Sequence, residues 1–448
     1  MPKPATKLVK RPGAICSSAR MIPTASIPRR ASISRSTISS GSRCPRSRLL
    51  RRSLVSHLES KWVARRIRAA APSLGRKFNT ASRIVSHEKF SGSIMSLASK
   101  EISMPDDITA EPRISVLMPC YNAGETLDET MQSLMDQTLL EFEIVAVDDG
   151  SEDSTSEKLA AWSGKDGRVR VITIAHAGII PALNIGMEAC RSHLVARMDA
   201  DDVAHPERLE RQVAYLEANP DVTVVGSLVE SFPRDGVREG FQIYIEWLNK
   251  LVDHNAITRD IFVESPLAHP SVAFRRRRVE ALGGYQEFGW PEDYDLWLRL
   301  YLDGARFEKI PEILLYWREH PKRLTRTDSR YSVENFLRAK ARYLIQGPLR
   351  GRDAVIVWGA GQMGRRLSKH LVRGEAPLVA FVDIDPNKVG RTRRGAPIIP
   401  PEALKEWWDR FSNPVVLAAV GSRGARALIR ENLCSRGFRE GIDWWAVA

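Results

Sequence analysis

The chain has 448 residues, enough for two or three domains, and its net charge of +13 is unevenly spread. Residues 1–100 hold 22 Lys/Arg against two acids, Glu59 and Glu88, whereas the rest holds 45 basic and 52 acidic side chains, a mildly acidic globular body. Five scattered cysteines without a C-x-x-C pair exclude a disulfide framework or zinc knuckle, and the absence of a run of about 18 apolar residues predicts no transmembrane helix.

Residues 1–56 are rich in Arg, Ser, Pro and Ala and lack an apolar period, so they cannot bury enough surface to order themselves. The whole of 1–112 is expected to be a basic, largely disordered extension. It reads as an organelle transit peptide, as a basic arm for nucleic acid or anionic membrane, or as an upstream extension with Met95 or Met104 as the working start. The last is preferred, because the folded pattern begins abruptly at Arg113.

From there the chain alternates strand and helix. Ile114–Pro119 is a short apolar strand, followed by a turn in which Asn122 is placed to cap the next helix. Leu127, Met131, Leu134 and Met135 recur on one helical face. Phe142–Val147 is a second strand running into Asp148-Asp149-Gly150-Ser151, Ser154 caps a further helix, and Val169–Ile174 is a third strand. Pro181–Ala189 reads as helix, and Leu194-Val195-Ala196 leads into Asp199-Ala200-Asp201-Asp202. This spacing predicts βαβ units and a mainly parallel sheet, with carboxylates at neighbouring strand ends pointing into the ligand crevice. Asp199 and Asp201, both oxygen donors one residue apart, suit Mg²⁺ or Mn²⁺ shared with phosphate oxygens. Further on, Pro291-Glu292-Asp293 opens a helix whose inward face is Leu296, Trp297 and Leu300.

The ordered set Pro119-x-Tyr121-Asn122, Asp148-Asp149-Gly150-Ser151, Asn184 and Asp199-x-Asp201-Asp202, then Glu292-Asp293-Tyr294-Asp295-Leu296-Trp297, resembles the family 2 glycosyltransferases. The resemblance spans roughly residues 113–325 and implies a GT-A fold and transfer that inverts the sugar's anomeric centre. It further implies that Asp148 and Asp149 contact the base or ribose of a nucleotide-sugar, that Pro119 and Tyr121 form part of the base pocket, and that Asn122 and Asn184 belong to the same donor site. It makes Asp293 the general base, with Glu292 as second candidate, and lays His320 over the diphosphate with Arg318, Lys322 and Arg323 nearby. His269, in the strand-like segment Ala268–Arg275, reads as a packing or turn residue rather than a ligand.

Residues 331–349 are expected to form a linker helix and 350–448 a smaller Rossmann-like α/β domain. Strand Asp353–Trp358, the turn Gly359-Ala360-Gly361-Gln362-Met363-Gly364, a helix through Leu371, and strand Leu378–Val382 ending at Asp383 follow the order of a dinucleotide-binding unit. Gly359, Gly361, Gly364 and Asp383 are thus a possible second nucleotide site, with scaffolding or partner docking as the alternative. Val415–Val420 adds another strand before a glycine turn.

The expected activity is metal-dependent transfer of a sugar from a nucleotide-sugar to a hydroxyl of a glycan, lipid-linked or other acceptor, in polysaccharide or glycoconjugate synthesis. The alternative is a nucleotide-sugar-binding or dinucleotide-dependent protein acting through residues 350–448. No specific nucleic acid is expected, and homo-oligomerisation stays open. The expected location is the cytoplasm, with at most peripheral membrane contact, organelle targeting by the N-terminus being left open.

Overall fold

The structure, a computed structural model, describes residues 111–233 and 237–448. The expectations for residues 1–110 lie outside these. The chain is α/β, with two sheets. The first is built from β1 (Ile114–Cys120), β2 (Phe142–Asp148), β3 (Val169–Thr173), β4 (Leu194–Arg197), β5 (Val203–Ala204), β6 (Val222–Phe232), β7 (Ala273–Arg275) and β8 (Arg306–Arg318). Their order across the sheet is β3-β2-β1-β4-β7-β6-β8-β5.

β1 pairs in parallel with both β2 and β4, and β2 with β3. Strands this apolar are buried on both faces, as parallel sheets require. Alternate residues therefore feed two cores: Val116, Ile144 and Ala146 face the helices Leu127–Met135 and Arg208–Ala218, whereas Leu117, Val145 and Val147 face Ile179–Ala189 and Glu292–Leu302. Each fully buried aliphatic side chain contributes about 1.5–3 kcal/mol, so the two-faced burial fixes register firmly. The register sets Cys120 beside Asp148 and Leu117 beside Arg197, bringing the ends of β2, β1 and β4 to one edge.

The second sheet contains β9 (Ala354–Trp358), β10 (Leu378–Val382), β11 (Thr392–Arg393), β12 (Ala396–Ile399), β13 (Pro414–Ala418) and β14 (Trp444–Ala446), in the order β11-β12-β10-β9-β13-β14. Apart from β11, all its pairings are parallel, and chain order reverses between β9 and β13. Crevices that bind ligands form at such reversals, outside the strand C-termini.

The helix Val333–Gln346 joins the two sheets and shares one core with both: Phe262, Tyr294 and Leu298 pack in the same cluster as Leu337 and Leu344 and as Val357, Leu367 and Trp445. The described residues accordingly form one compact unit. Among the described residues no helix is long and apolar enough to cross a membrane.

Two local expectations differ from the structure. Asn122 does not cap a helix: its φ is 50°, and its side-chain oxygen accepts a hydrogen bond from Glu152 N at 2.9 Å, tying the first strand turn to the second. Ser154 stands at the N-cap but makes no capping bond; Asp153 accepts from Thr155 N at 3.0 Å instead. His269 lies in a 3₁₀ turn, His269–Ser271, just before β7.

Candidate active site

Three strand ends supply the first half of the site. After β1, Tyr121 is half exposed and stacks on His176, ring centroids 4.1 Å apart. After β2, Asp148 and Asp149 are buried, and their carboxylates order the surrounding loops. Asp148 Oδ1 accepts from Ser151 N at 3.1 Å, and Asp149 accepts from Ala177 N (2.7 Å) and Gly178 N (2.9 Å). Gly150 is required between them: its φ is +68°, and a Cβ there would lie 2.7 Å from His176 N. Asn184 places both ends of its amide on the Tyr285 backbone, at 2.9 Å each, so it anchors the helix Ile179–Ala189 to the loop at 285.

After β4, Asp199, Asp201 and Asp202 converge, with one ligand oxygen of each lying within 4.8 Å of the others. Their loop is held by Thr126 Oγ1 donating to Ala200 O (3.0 Å) and Thr130 Oγ1 donating to Asp202 O (2.8 Å). Asp202 is fully buried; one of its oxygens accepts from Arg318 N at 2.8 Å, and the other is buried with no hydrogen-bond partner among the described residues. Burial, followed by the charges of Asp201 and Asp199, pushes Asp202 well above the usual carboxylate range. Burial raises Asp199 as well, opposed by Arg197, whose guanidinium pairs with it. A buried carboxylate oxygen without a partner, beside two more carboxylates, fits a hard divalent cation.

His320 Nε2 lies 2.8 Å from Asp201 Oδ2, at the edge of this cluster. The nearby cations are otherwise occupied. Arg318 pairs with Glu129 and lies over the Phe232 ring at 4.4 Å; Arg323 is buried, pairs with Glu319 at 3.0 Å and lies over Trp317. Lys322 is exposed, 3.5 Å from Glu125.

The second half of the site is the start of the helix Glu292–Leu302. Glu292 is buried, with Tyr331 Oη within 2.9 Å of both its oxygens and Arg330 Nη1 3.8 Å away. No side chain pairs with Asp293 among the described residues. Burial, with the Glu292 charge adding to it, pushes Asp293 up to about 8. A cavity of about 1260 Å³ is lined by Arg197, Asp199, Asp201, Glu292 and Asp293 together. His269 also lines it, buried and 2.8 Å from Tyr285 Oη, and burial holds it well below the usual histidine range.

The family model described as Glycosyl transferase family 2 matches residues 115–283. The amylovoran biosynthesis glycosyltransferase AmsE of Erwinia amylovora is 36% identical over 205 residues, covering 45% of this chain and 74% of that protein. The chain belongs to glycosyltransferase family 2. This glycosyltransferase is also 29% identical to the UDP-Gal:alpha-D-GlcNAc-diphosphoundecaprenol beta-1,3-galactosyltransferase of Escherichia coli over 215 residues, 47% of this chain and 75% of that one. Among solved structures, S. aureus TarS 1-349 in complex with UDP-GlcNAc aligns over 58% of this chain and 72% of that chain, at 19% identity and a TM-score of 0.44.

The glycine turn after β9 is a separate feature. Gly359 has φ +116°, and a Cβ on Gly364 would fall 1.8 Å from Gly359 O, so helix and turn touch. Asp383, which sequence order offers to a ribose, is buried. It accepts from Ala360 N (2.9 Å) and Asp385 N (3.0 Å) and sits 3.3 Å from Lys388 Nζ.

Sequence reasoning missed Arg197, Asp202 as a third carboxylate of the cluster, His176 and Tyr331. Two of these carried a signal: Asp202 closes the Asp199-x-Asp201-Asp202 run, and Arg197 stands two residues before Asp199 at a strand end, where alternation puts both on one side. Tyr331 and His176 reach the site only through tertiary contacts.

Proposed function

We propose that this family 2 glycosyltransferase is a metal-dependent, inverting enzyme that moves a sugar from a nucleotide-sugar to an acceptor hydroxyl, with Asp293 as general base. The observation that carries this reading is the meeting, in one cavity, of the Asp199-Asp201 carboxylates with a raised Asp293 that no side chain among the described residues pairs. Asp199, Asp201 and Asp202 would hold Mg²⁺ or Mn²⁺, and His320 is near enough to Asp201 to share that task. Such an ion supplies Lewis-acid stabilisation of the leaving diphosphate.

The remaining steps fall to the chain's own side chains. The Tyr121–His176 stack offers an aromatic face to a base, and the loops ordered by Asp148 and Asp149 shape the pocket around it. Asp293 takes the proton of the acceptor hydroxyl as its oxygen attacks C1 and the C1–O bond breaks, the electron pair leaving on the diphosphate. A base raised toward neutrality is well matched to a hydroxyl, and Tyr331 fixes Glu292 so that Asp293 remains free to act. Arg197 pairs with Asp199 and its permanent positive charge also acts on Glu292 and Asp293.

Donor screening by nucleotide release, with and without Mn²⁺, tests the reading, and the anomeric configuration of the product tests inversion. Release that is unchanged in excess chelator would overturn the metal assignment; a retained configuration would overturn the single displacement.

A further inference from the structure

The cavity at the catalytic carboxylates does not run toward the nucleotide motifs. Tyr121, Asp148 and Asp149 are absent from its lining, which passes instead through Phe241, Tyr244 and Trp247 to the second sheet. There Met363, in the first turn of the helix after β9, and Val420–Gly424, of the loop after β13, line the far wall. This helix start and this loop flank the place where strand order reverses, so the crevice of the second sheet and the acceptor side of the transferase site are one space. At about 1260 Å³ it exceeds the roughly 300–1,000 Å³ of an ordinary small-molecule site.

The chemistry of the lining changes along its length. The middle is apolar and aromatic, with Phe241, Tyr244, Val263, Phe336 and Leu337. The far wall gathers Arg238, Arg423, Arg426 and Arg430, against Glu264 and the chain's terminal residue, Ala448. Arg430 is held by Glu440 at 2.8 Å, and Arg426 lies 3.7 Å from Asp260 and donates to Ala448 O at 3.1 Å. Arg423 meets only the exposed Glu239, and Arg238 has no ion-pair partner among the described residues. Guanidinium groups in this setting are suited to phosphate oxygens, which they meet bidentately.

We propose that residues 420–430 form the acceptor-recognition wall of this glycosyltransferase, and that the acceptor joins a phosphate group, read by Arg238 and Arg423, to an apolar stretch lying along Phe241, Tyr244 and Phe336. This rests on the transferase reading above and assigns to the second sheet a role other than nucleotide binding. The catalytic end takes the hydroxyl and the far end takes the anion, so the cavity's length selects acceptors in which the two are suitably spaced.

The test titrates the full chain with decyl diphosphate below its micelle concentration, following fluorescence from Trp247 and Trp317, both in the lining. Excess chelator keeps the metal-dependent diphosphate site closed. Decyl diphosphate is expected to bind at least tenfold more tightly than phosphate-free decyl maltoside, and the Arg238→Ala/Arg423→Ala double variant to lose that preference. Inorganic pyrophosphate binding as tightly as decyl diphosphate, and lost in the same variant, would overturn the apolar half of the proposal and leave the phosphate on a glycan rather than a lipid. Equal affinity for the two decyl compounds, or a preference that survives the double substitution, would overturn the proposal. Mn²⁺-dependent binding of uridine or guanosine diphosphate is read in parallel: if it persists while the preference is absent, the acceptor wall fails alone, and if it is absent throughout, the transferase reading fails.

Discussion

Tyr331 and Arg330 hold the Glu292 carboxylate, while Asp293 beside it faces the cavity with no side-chain partner among the described residues. Asp293→Asn keeps size and hydrogen bonding but cannot take a proton, so turnover should fall about 10²–10⁴-fold with donor affinity little changed. Glu292→Gln, which keeps a hydrogen bond to Tyr331, should be milder. A general base works deprotonated, so transfer rises with pH through its pKa. With Asp293 pushed up to about 8, the acid limb of kcat/KM should lie far above the ordinary Asp value of about 3.9, and Asp293→Asn should abolish it. The stability sign is opposite. Folding raises this pKa, so the protein binds a proton there on folding and loses stability as pH climbs from about 4 to about 8. Asp293→Asn should therefore raise Tm more at pH 8 than at about pH 5, as thermal unfolding at the two pH values would reveal. On the donor side, Asp201→Ala should remove Mn²⁺-dependent nucleoside diphosphate binding without changing the fold; calorimetric titration showing wild-type affinity would rule out the cluster. The acids at strand ends were legible because spacing alone marks them. Arg330 and Tyr331 were not, because they meet Glu292 across about forty residues of intervening chain.

At the scale of elements, alternation of apolar strands with helical faces foretold β1 to β4 and β9, β10 and β13 closely, since each is an apolar parallel strand, most of them buried. Caps were read less well. Asn122 has a capping residue's chemistry, but its side chain is drawn to Glu152 N by a turn 30 residues away. The glycine turn after β9 has the spacing of a phosphate loop, and its Gly364 is a packing glycine. Gly364→Ala would drive a Cβ into the Gly359 carbonyl, which is backbone and cannot swing aside. A loss of about 1–3 kcal/mol is expected, measurable by denaturant unfolding.

Over the whole molecule, the sequence suggested separate bodies before and after residue 350, and no local signal could reveal that Tyr294 and Leu298 share a core with Val357 and Trp445. Contacts between residues so distant in the chain leave no periodicity to read. The shared core predicts that residues 111–448 unfold in one calorimetric transition, with equal calorimetric and van't Hoff enthalpies; two resolved transitions would contradict it.

That core also fixes how traffic through the cavity must run. Sheets fastened together beneath it cannot part like jaws, so the proposed acceptor would thread in and its product back out past Ile243, Leu324 and Val333, the large apolar side chains of the lining that remain exposed. A plug at this doorway should throttle passage and leave the reaction itself alone. Ile243→Trp is thus expected to lower steady-state turnover several-fold while the first, single-turnover transfer from preloaded enzyme keeps its pace.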